Sequence, residues 1–298
     1  MGVLDGKVAV ITGGTRGLGL AIAEAFAAAG AAVVLGSRSQ DAVAAAVCRV
    51  AAAGAKASGL PIDVGRMGDV EVLAAHAVRS FGPIDIWVNN AGVAGPYGPT
   101  LGLAPEAFQR VLQTNVVGVY NGSRVAVLHF LARGSGKLIN VLGNGYNRPL
   151  PWQNAYGSSK AWIRSFTLAL AKETKDCGVG VFAFHPGLML TDLVTDLEVV
   201  EGHQARLAVF PAILRMWAKP PEVPARRAVW LASSATDGKT GLTVRVSSPW
   251  SLLAGAAREG ARALLGRPAR PIGLHVSVHA CNVPSGSHPG DEPPAGSA

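Results

Sequence analysis

The sequence predicts a doubly wound α/β domain built on a parallel sheet, and three observations predict it. Apolar, β-branched runs alternate with alanine-rich amphipathic segments along most of the 298 residues. A glycine-rich turn, "TGGTRGLG", leaves the first apolar run directly and opens the first helical segment. Hydrophobic residues make up 49% of the chain and charged residues only 15%, which supports a sizeable core and excludes disorder over most of the length.

The strands follow in order. "KVAVIT" (7–12), "AAVVLG" (31–36), "IDIWVNN" (84–90), "KLINVL" (137–142) and "GVFAFH" (180–185) are continuously apolar, as strands covered on both faces must be. "KASGLPI" (56–62) is a weaker strand. Helices are expected near 18–29, 40–53, 69–81, 105–131 and 156–175, and strand–helix alternation implies right-handed crossovers. After Pro186 the pattern breaks, and residues 187–221 predict a mobile, partly helical insertion on the substrate side. Residues 222–233 resume a helix, and "TGLTVRV" (240–246) is the last expected strand. One domain therefore spans 1–248. Residues 249–282 form a C-terminal extension with a helix at 250–266, and the Pro-, Gly- and Ser-rich stretch 283–298 predicts a disordered tail.

The net charge is +8, and residues 239–270 carry six basic residues against Glu259 alone. No nucleic-acid motif accompanies this patch, so no nucleic-acid partner is expected and the patch reads as a solvated basic face. Contact with an anionic membrane surface is the less favoured alternative. Cys48, Cys177 and Cys281 lie far apart and match no metal or redox spacing, so no metal is expected. Without a basic n-region and apolar h-region at the start, a cytoplasmic protein is the expectation.

"TGGTRGLG" (12–19) is a nucleotide-binding turn by its context. Gly13, Gly17 and Gly19 let the backbone turn sharply and approach a pyrophosphate, whose charge a helix N-terminus favours. The spacing is TGxxxGxG, not the generic Rossmann GxGxxG. At the end of the second strand, "LGSRSQ" offers Ser37 and Arg38 and no acid to bond both ribose hydroxyls. Arg16 and Arg38 together supply charge-assisted donors for a 2′-phosphate, so NADP(H) is expected ahead of NAD(H).

Tyr156 and Lys160, at i and i+4 of one helix, share a face. A phenol titrates near 10, so acting as acid or base at neutral pH needs a downward shift of about 3 units, roughly 4 kcal/mol. A neighbouring ammonium, together with the positive nicotinamide of an oxidised cofactor, can supply such stabilisation.

"TGGTRGLG", "NNAG" (89–92), Asn115 in "TNVVG", "YGSSK" (156–160) and "HPG" (185–187) occur in the order found in the short-chain dehydrogenase/reductase family, which residues 5–246 resemble. "LGNGYNR", "AYGSSK" and "HPGLMLTDL" are also similar to the branch that includes plant chlorophyll b reductases. The resemblance implies a Rossmann-like fold and a carbonyl/alcohol oxidoreductase of the EC 1.1.1 type. It implies that Tyr156 is the acid/base, that Lys160 also binds the nicotinamide ribose, and that Asn115 orders a water relay. Cofactor contacts are implied for Thr12, Gly13, Thr15, Arg16, Gly17, Leu18 and Gly19, for Ser37 and Arg38, and for Asp63 and Val64. They extend to Asn90, Ala91 and Gly92, and to Pro186, Gly187 and Thr191. Asn89 is expected only to hold neighbouring strands together.

One departure stands out. Where the family has a serine thirteen residues before the tyrosine, this chain has Gly143, which has no side chain to donate. Asn144 follows, and its amide would serve as the substitute donor. The alternative is a catalytically silent NADP-binding regulatory or scaffold protein. The apolar residues after "HPG", from Leu188 to Trp217, suit a lipophilic small-molecule substrate or packing within the protein. A homodimer through the helices at 105–131 and 156–175 is preferred to the family's usual tetramer.

Overall fold

The computed structural model describes residues 2–247, 249–269 and 271–281. Its centre is the run Val8–Thr12 (β1), buried end to end. Ala9 and Ile11 enter one apolar cluster while Val10 enters the other, as the two-residue period of a strand between two helical layers requires. Around β1 stand Ala32–Ser37 (β2), Ala57–Pro61 (β3), Ile86–Asn89 (β4), Gly136–Val141 (β5) and Val179–His185 (β6).

Counting Thr243–Arg245 as β8, the sheet runs β3-β2-β1-β4-β5-β6-β8, with every pairing parallel. One face is covered by Gly17–Ala28 (α1), Gln40–Ala51 (α2) and Glu222–Ala232 (α9), packed around Phe26, Phe182 and Phe184. The other is covered by Met67–Phe81 (α3), Gly118–Arg133 (α5) and Asn154–Glu173 (α6), packed around Trp87, Phe130 and Leu73. The strand order reverses between β1 and β4, so their carboxyl ends open a crevice in which ligands of such sheets bind.

The structure departs from the expected elements in two places. The single helix expected at 105–131 is Pro105–Leu112 (α4), a π-helical turn Gln113–Val117, and α5. The widened turn is where Asn115 bonds across to residue 93, and single π turns are frequent at functional sites.

The insertion after Pro186 holds a strand besides its expected helical parts. It holds Asp192–Thr195 (α7), Asp196–Val200 (β7), a 3₁₀ turn Gln204–Val209, and Phe210–Trp217 (α8). The extension folds back on it: Pro249–Leu264 (α10) packs on α8, and His275–His279 (β9) pairs in parallel with β7. Tyr97 adds a bridge on Val199, so three separate chain segments meet in this lobe. The tail expected at 283–298 lies outside the described residues. Among the described residues no helix is long and apolar enough to cross a membrane.

Candidate active site

The glycine turn between β1 and α1 is held by close approach. Gly13 has φ +63°, and a Cβ there would fall 2.8 Å from Ala91 Cα. A Cβ on Gly19 would fall 2.1 Å from the Gly13 carbonyl oxygen. A Cβ on Gly17, φ +52°, would press on Thr191 at 3.3 Å. Backbone packed this tightly, at the N-terminus of α1 and over the crevice, is a cradle that fits a pyrophosphate.

Asn90 clamps that cradle: its Nδ2 donates to the carbonyls of Thr12 (3.1 Å) and Gly13 (2.9 Å). Thr12 is fully buried. Its hydroxyl donates to the Val88 carbonyl at 3.3 Å and accepts from Asn90 N–H at 3.1 Å, so its side chain positions the turn. Leu18 is buried in the core beneath. Asn89 bonds Asn140 (2.8 Å) and Ser123 (3.1 Å), tying β4 to β5 and α5 as expected of it.

At the adenosine end, Thr15 Oγ1 donates to Ser37 Oγ at 3.2 Å, which joins the turn to the end of β2. Arg38 is exposed beside them. The Arg16 guanidinium pairs with Asp192 at 3.1 Å, closing the turn onto the start of α7. Asp192 lies within "HPGLMLTDL", but the sequence alone assigns it no role. Asp63 Oδ1 accepts the Gly65 N–H at 2.9 Å, forming a tight turn before α3 rather than capping the helix itself. Val64 is buried, and its carbonyl accepts from Asn121 at 2.8 Å. Gly187 (φ +87°) donates its N–H to His185 Nδ1 at 3.2 Å, and Pro186 beside it is buried.

The chemical groups converge on the other side of the crevice. Lys160 is buried and donates to the Val141 carbonyl at 3.1 Å; its Nζ lies 5.6 Å from the centre of the Tyr156 ring. A Cβ on Gly92 would meet that ammonium at 3.6 Å and the Asn115 Oδ1 at 3.3 Å, so the "NNAG" turn, Asn115 and Lys160 form one wall. Asn115 is fully buried, and protein takes up its amide on both sides. Oδ1 accepts Val93 N–H at 2.9 Å; Nδ2 donates to the Val93 carbonyl and to Ser159 Oγ, each at 3.0 Å. Ser159 is a partner that the motif reading missed, although three residues after Tyr156 it lies on the same helical face.

Burial dominates the protonation of the pair. It pushes the Tyr156 phenol up to about 12 and the Lys160 ammonium down to about 8, because each charged form loses solvation. The expected lowering of the phenol is therefore not supplied by these residues. At neutral pH the tyrosine is a neutral acid and the lysine is still charged. His185, buried beside Arg245, is pushed down to about 4 and is neutral.

Position 143 touches the tyrosine directly: a Cβ there would fall 2.0 Å from Tyr156 Oη. Gly143, thirteen residues before Tyr156, thus lies against the phenol, and in this structure the hydroxyl fills the space a side chain there would need. Gly143 does not have positive φ; Gly145 does, at +93°. Asn144 between them is exposed. Tyr146 is buried against the His185 ring, with centroids 4.9 Å apart. A separate groove of about 510 Å³ lies at the amino-terminal ends of β4, β5 and β6, away from this crevice, and its Lys7 and Lys137 are paired with Asp85 and Asp237.

A family model described as short chain dehydrogenase matches residues 7–201. The chain is 37% identical to 3beta-hydroxysteroid dehydrogenase 1 of Eggerthella lenta, over 85% of this chain and 96% of the relative. It is 32% identical to glucose 1-dehydrogenase 2 of Bacillus subtilis, over 84% of this chain and 96% of the relative. A 3-ketoacyl-(acyl-carrier-protein) reductase from Brucella melitensis, solved with NADH, superposes with a TM-score of 0.74 at 31% identity, covering 83% of this chain and 99% of that one. An actinorhodin polyketide ketoreductase solved with NADPH gives the same TM-score at 27% identity, covering 83% and 97%.

Proposed function

From the premise that the chain belongs to the short-chain dehydrogenase family, we propose that it is an NADP(H)-dependent oxidoreductase reducing a carbonyl on a mainly apolar small molecule. The observation that carries this reading is the wall of Tyr156, Lys160 and Asn115 beside a glycine cradle that leaves no room for side chains. The cofactor supplies the hydride; the protein supplies the proton and the orientation. Tyr156, neutral with a pKa of about 12, donates from Oη to the carbonyl oxygen. Lys160, still charged below about pH 8, stabilises the phenolate left behind. A neutral phenol matches the acid that reduction needs, so reduction is the proposed direction.

Arg38 is the proposed main contact for a 2′-phosphate, with Ser37 and Thr15 beside it and Arg16 shared with Asp192. Relatives hold either NADH or NADPH, so the preference rests on these side chains. Asn144, next to the glycine that faces Tyr156, is the proposed carbonyl donor; Tyr146 is a poorer candidate because its ring is packed against His185. Leu188, Leu190 and Leu193 after the "HPG" turn offer an apolar surface for the substrate, and one relative is a hydroxysteroid dehydrogenase. The exposed Tyr120, Leu128 and Leu131 on α5 support a homodimer through α5 and α6.

A screen of NADPH oxidation against ketones, including 3-oxosteroids, aldehydes and quinones, with the Tyr156→Phe protein as blank, tests the proposal. Turnover by the parent and not by the blank supports it. Tight NADPH binding with no carbonyl turned over by either protein favours the silent regulator instead, a reading that the missing side chain at 143 motivates.

A further inference from the structure

The C-terminal helix α10 is amphipathic the wrong way round for a helix that only packs on its own protein. Its polar side faces inward. Glu259 accepts from Arg215 of α8 at 2.8 Å and from Arg262 at 2.9 Å, and Arg258 donates to the Arg215 carbonyl at 3.1 Å. Gly255 sits on the same inward side, where a Cβ would fall 2.1 Å from the Met216 carbonyl oxygen. The two arginines hold the Glu259 carboxyl down to about 2, so it stays ionised and the inward contact persists at neutral and mildly acid pH.

The outward side is apolar. Trp250 is 80% exposed, Leu253 63%, Leu264 90% and Leu265 66%. Exposed Ala254, Ala257 and Ala261 lie between them. At about 100° per residue these positions fall within one stripe about 120° wide. Four large apolar side chains on one exposed helical stripe are more than scattered surface residues, and they mark a contact surface.

We propose that this stripe lies on an anionic lipid surface, with α10 parallel to the bilayer plane. Charge complementarity selects that partner. Arg258 beside the stripe and Arg267 beyond its end are both exposed, and the helix itself carries Arg258 and Arg262 against Glu259 alone, so its net charge attracts acidic headgroups as the stripe enters the acyl boundary. Trp250 at one end is a residue type that settles at such interfaces. A second copy of the chain fits less well. A strip about 24 Å long and about 10 Å wide offers far less than the roughly 800 Å² per partner of a stable interface, and the same positive charge would face itself. This inference does not depend on the proposed reaction, because the binding can be read without turnover.

Flotation of the full chain with vesicles tests it. The chain should float with phosphatidylcholine vesicles containing about a third phosphatidylserine at low salt, not with phosphatidylcholine alone, and should be released as salt shortens the screening length to about 3 Å at 1 M. A variant carrying Trp250→Ser, Leu253→Ser, Leu264→Ser and Leu265→Ser should bind at least about tenfold more weakly. Arg267→Glu should weaken binding by more than about fivefold, since it removes one charge and reverses it. Ala257→Glu, a single exposed change that keeps helix propensity, should also release the chain and guards against a fold defect in the quadruple variant. Failure of the parent to float, or equal flotation of parent and Ala257→Glu, would overturn the proposal. So would loss of a parental dimer in either stripe variant without any vesicle binding, which assigns the stripe to a second copy.

Discussion

The glycine turn and the lobe formed by the insertion and extension both rely on a glycine that admits no side chain, yet they were unequally legible. A Cβ would fall 2.1 Å from a carbonyl oxygen at Gly19 and equally at Gly255. At Gly19 the constraint is local. β1, the turn and α1 are consecutive, and the need for several glycines in a few residues leaves a pattern that sequence alone displays. At Gly255 the carbonyl belongs to Met216, 39 positions earlier, and nothing near either residue announces the contact. Sites built from neighbouring residues write motifs; lobes built from distant ones do not.

That comparison sets the predictions. The largest effect should come from Gly19→Ala. The Gly13 carbonyl and the Asn90 amide must both move, so NADPH binding by fluorescence titration should be abolished while most of the sheet still folds by circular dichroism. Gly255→Ala should do the converse. It should loosen α10 from α8 and leave NADPH affinity as in the parent; equal loss of affinity would mean that the lobe and the cradle are one unit.

Within the site the expected losses are graded. Asn144→Ala should lower kcat by about 10² to 10³, the usual loss for one carbonyl donor, with little change in NADPH affinity. Parental kcat would place the donor elsewhere. Gly143→Ser is not expected to rescue it, because the new Cβ would meet Tyr156 Oη at 2.0 Å. Arg38→Asp should cost NADPH about 10- to 100-fold in affinity and leave NADH nearly unchanged, as loss of a charged hydrogen bond predicts. Equal weakening of both cofactors would show that Arg38 does not read the 2′-phosphate.

Most of the sheet was legible because continuous apolar runs have few other uses: six expected strands and a short seventh appear, in the order a doubly wound sheet requires. The break in the helix at 113–117 was not, since the widened turn arises from Asn115 reaching Val93, a tertiary bond. β7 and β9 were missed for the same reason. "DLEVV" and "HVSVH" become strands only by pairing with each other across about 80 residues, and neither is buried end to end as the central strand β1 is. In the site, Tyr156 and Lys160 were found by spacing and Asn115 by the family resemblance, and the three side chains lie together in the structure. The protonation of the two residues by themselves was not legible. A sequence shows that a lysine is near a tyrosine; it does not show that both are shielded from water, and here desolvation outweighs their mutual effect.

The central claim is that Tyr156 is the acid at a nicotinamide site. The most direct test measures NADPH affinity and turnover together in the parent and in Tyr156→Phe, on the first carbonyl substrate the screen yields. Loss of about 10² to 10⁴ in kcat with unchanged affinity is the predicted result. Turnover by Tyr156→Phe at the parental rate would contradict it and assign the proton to another group.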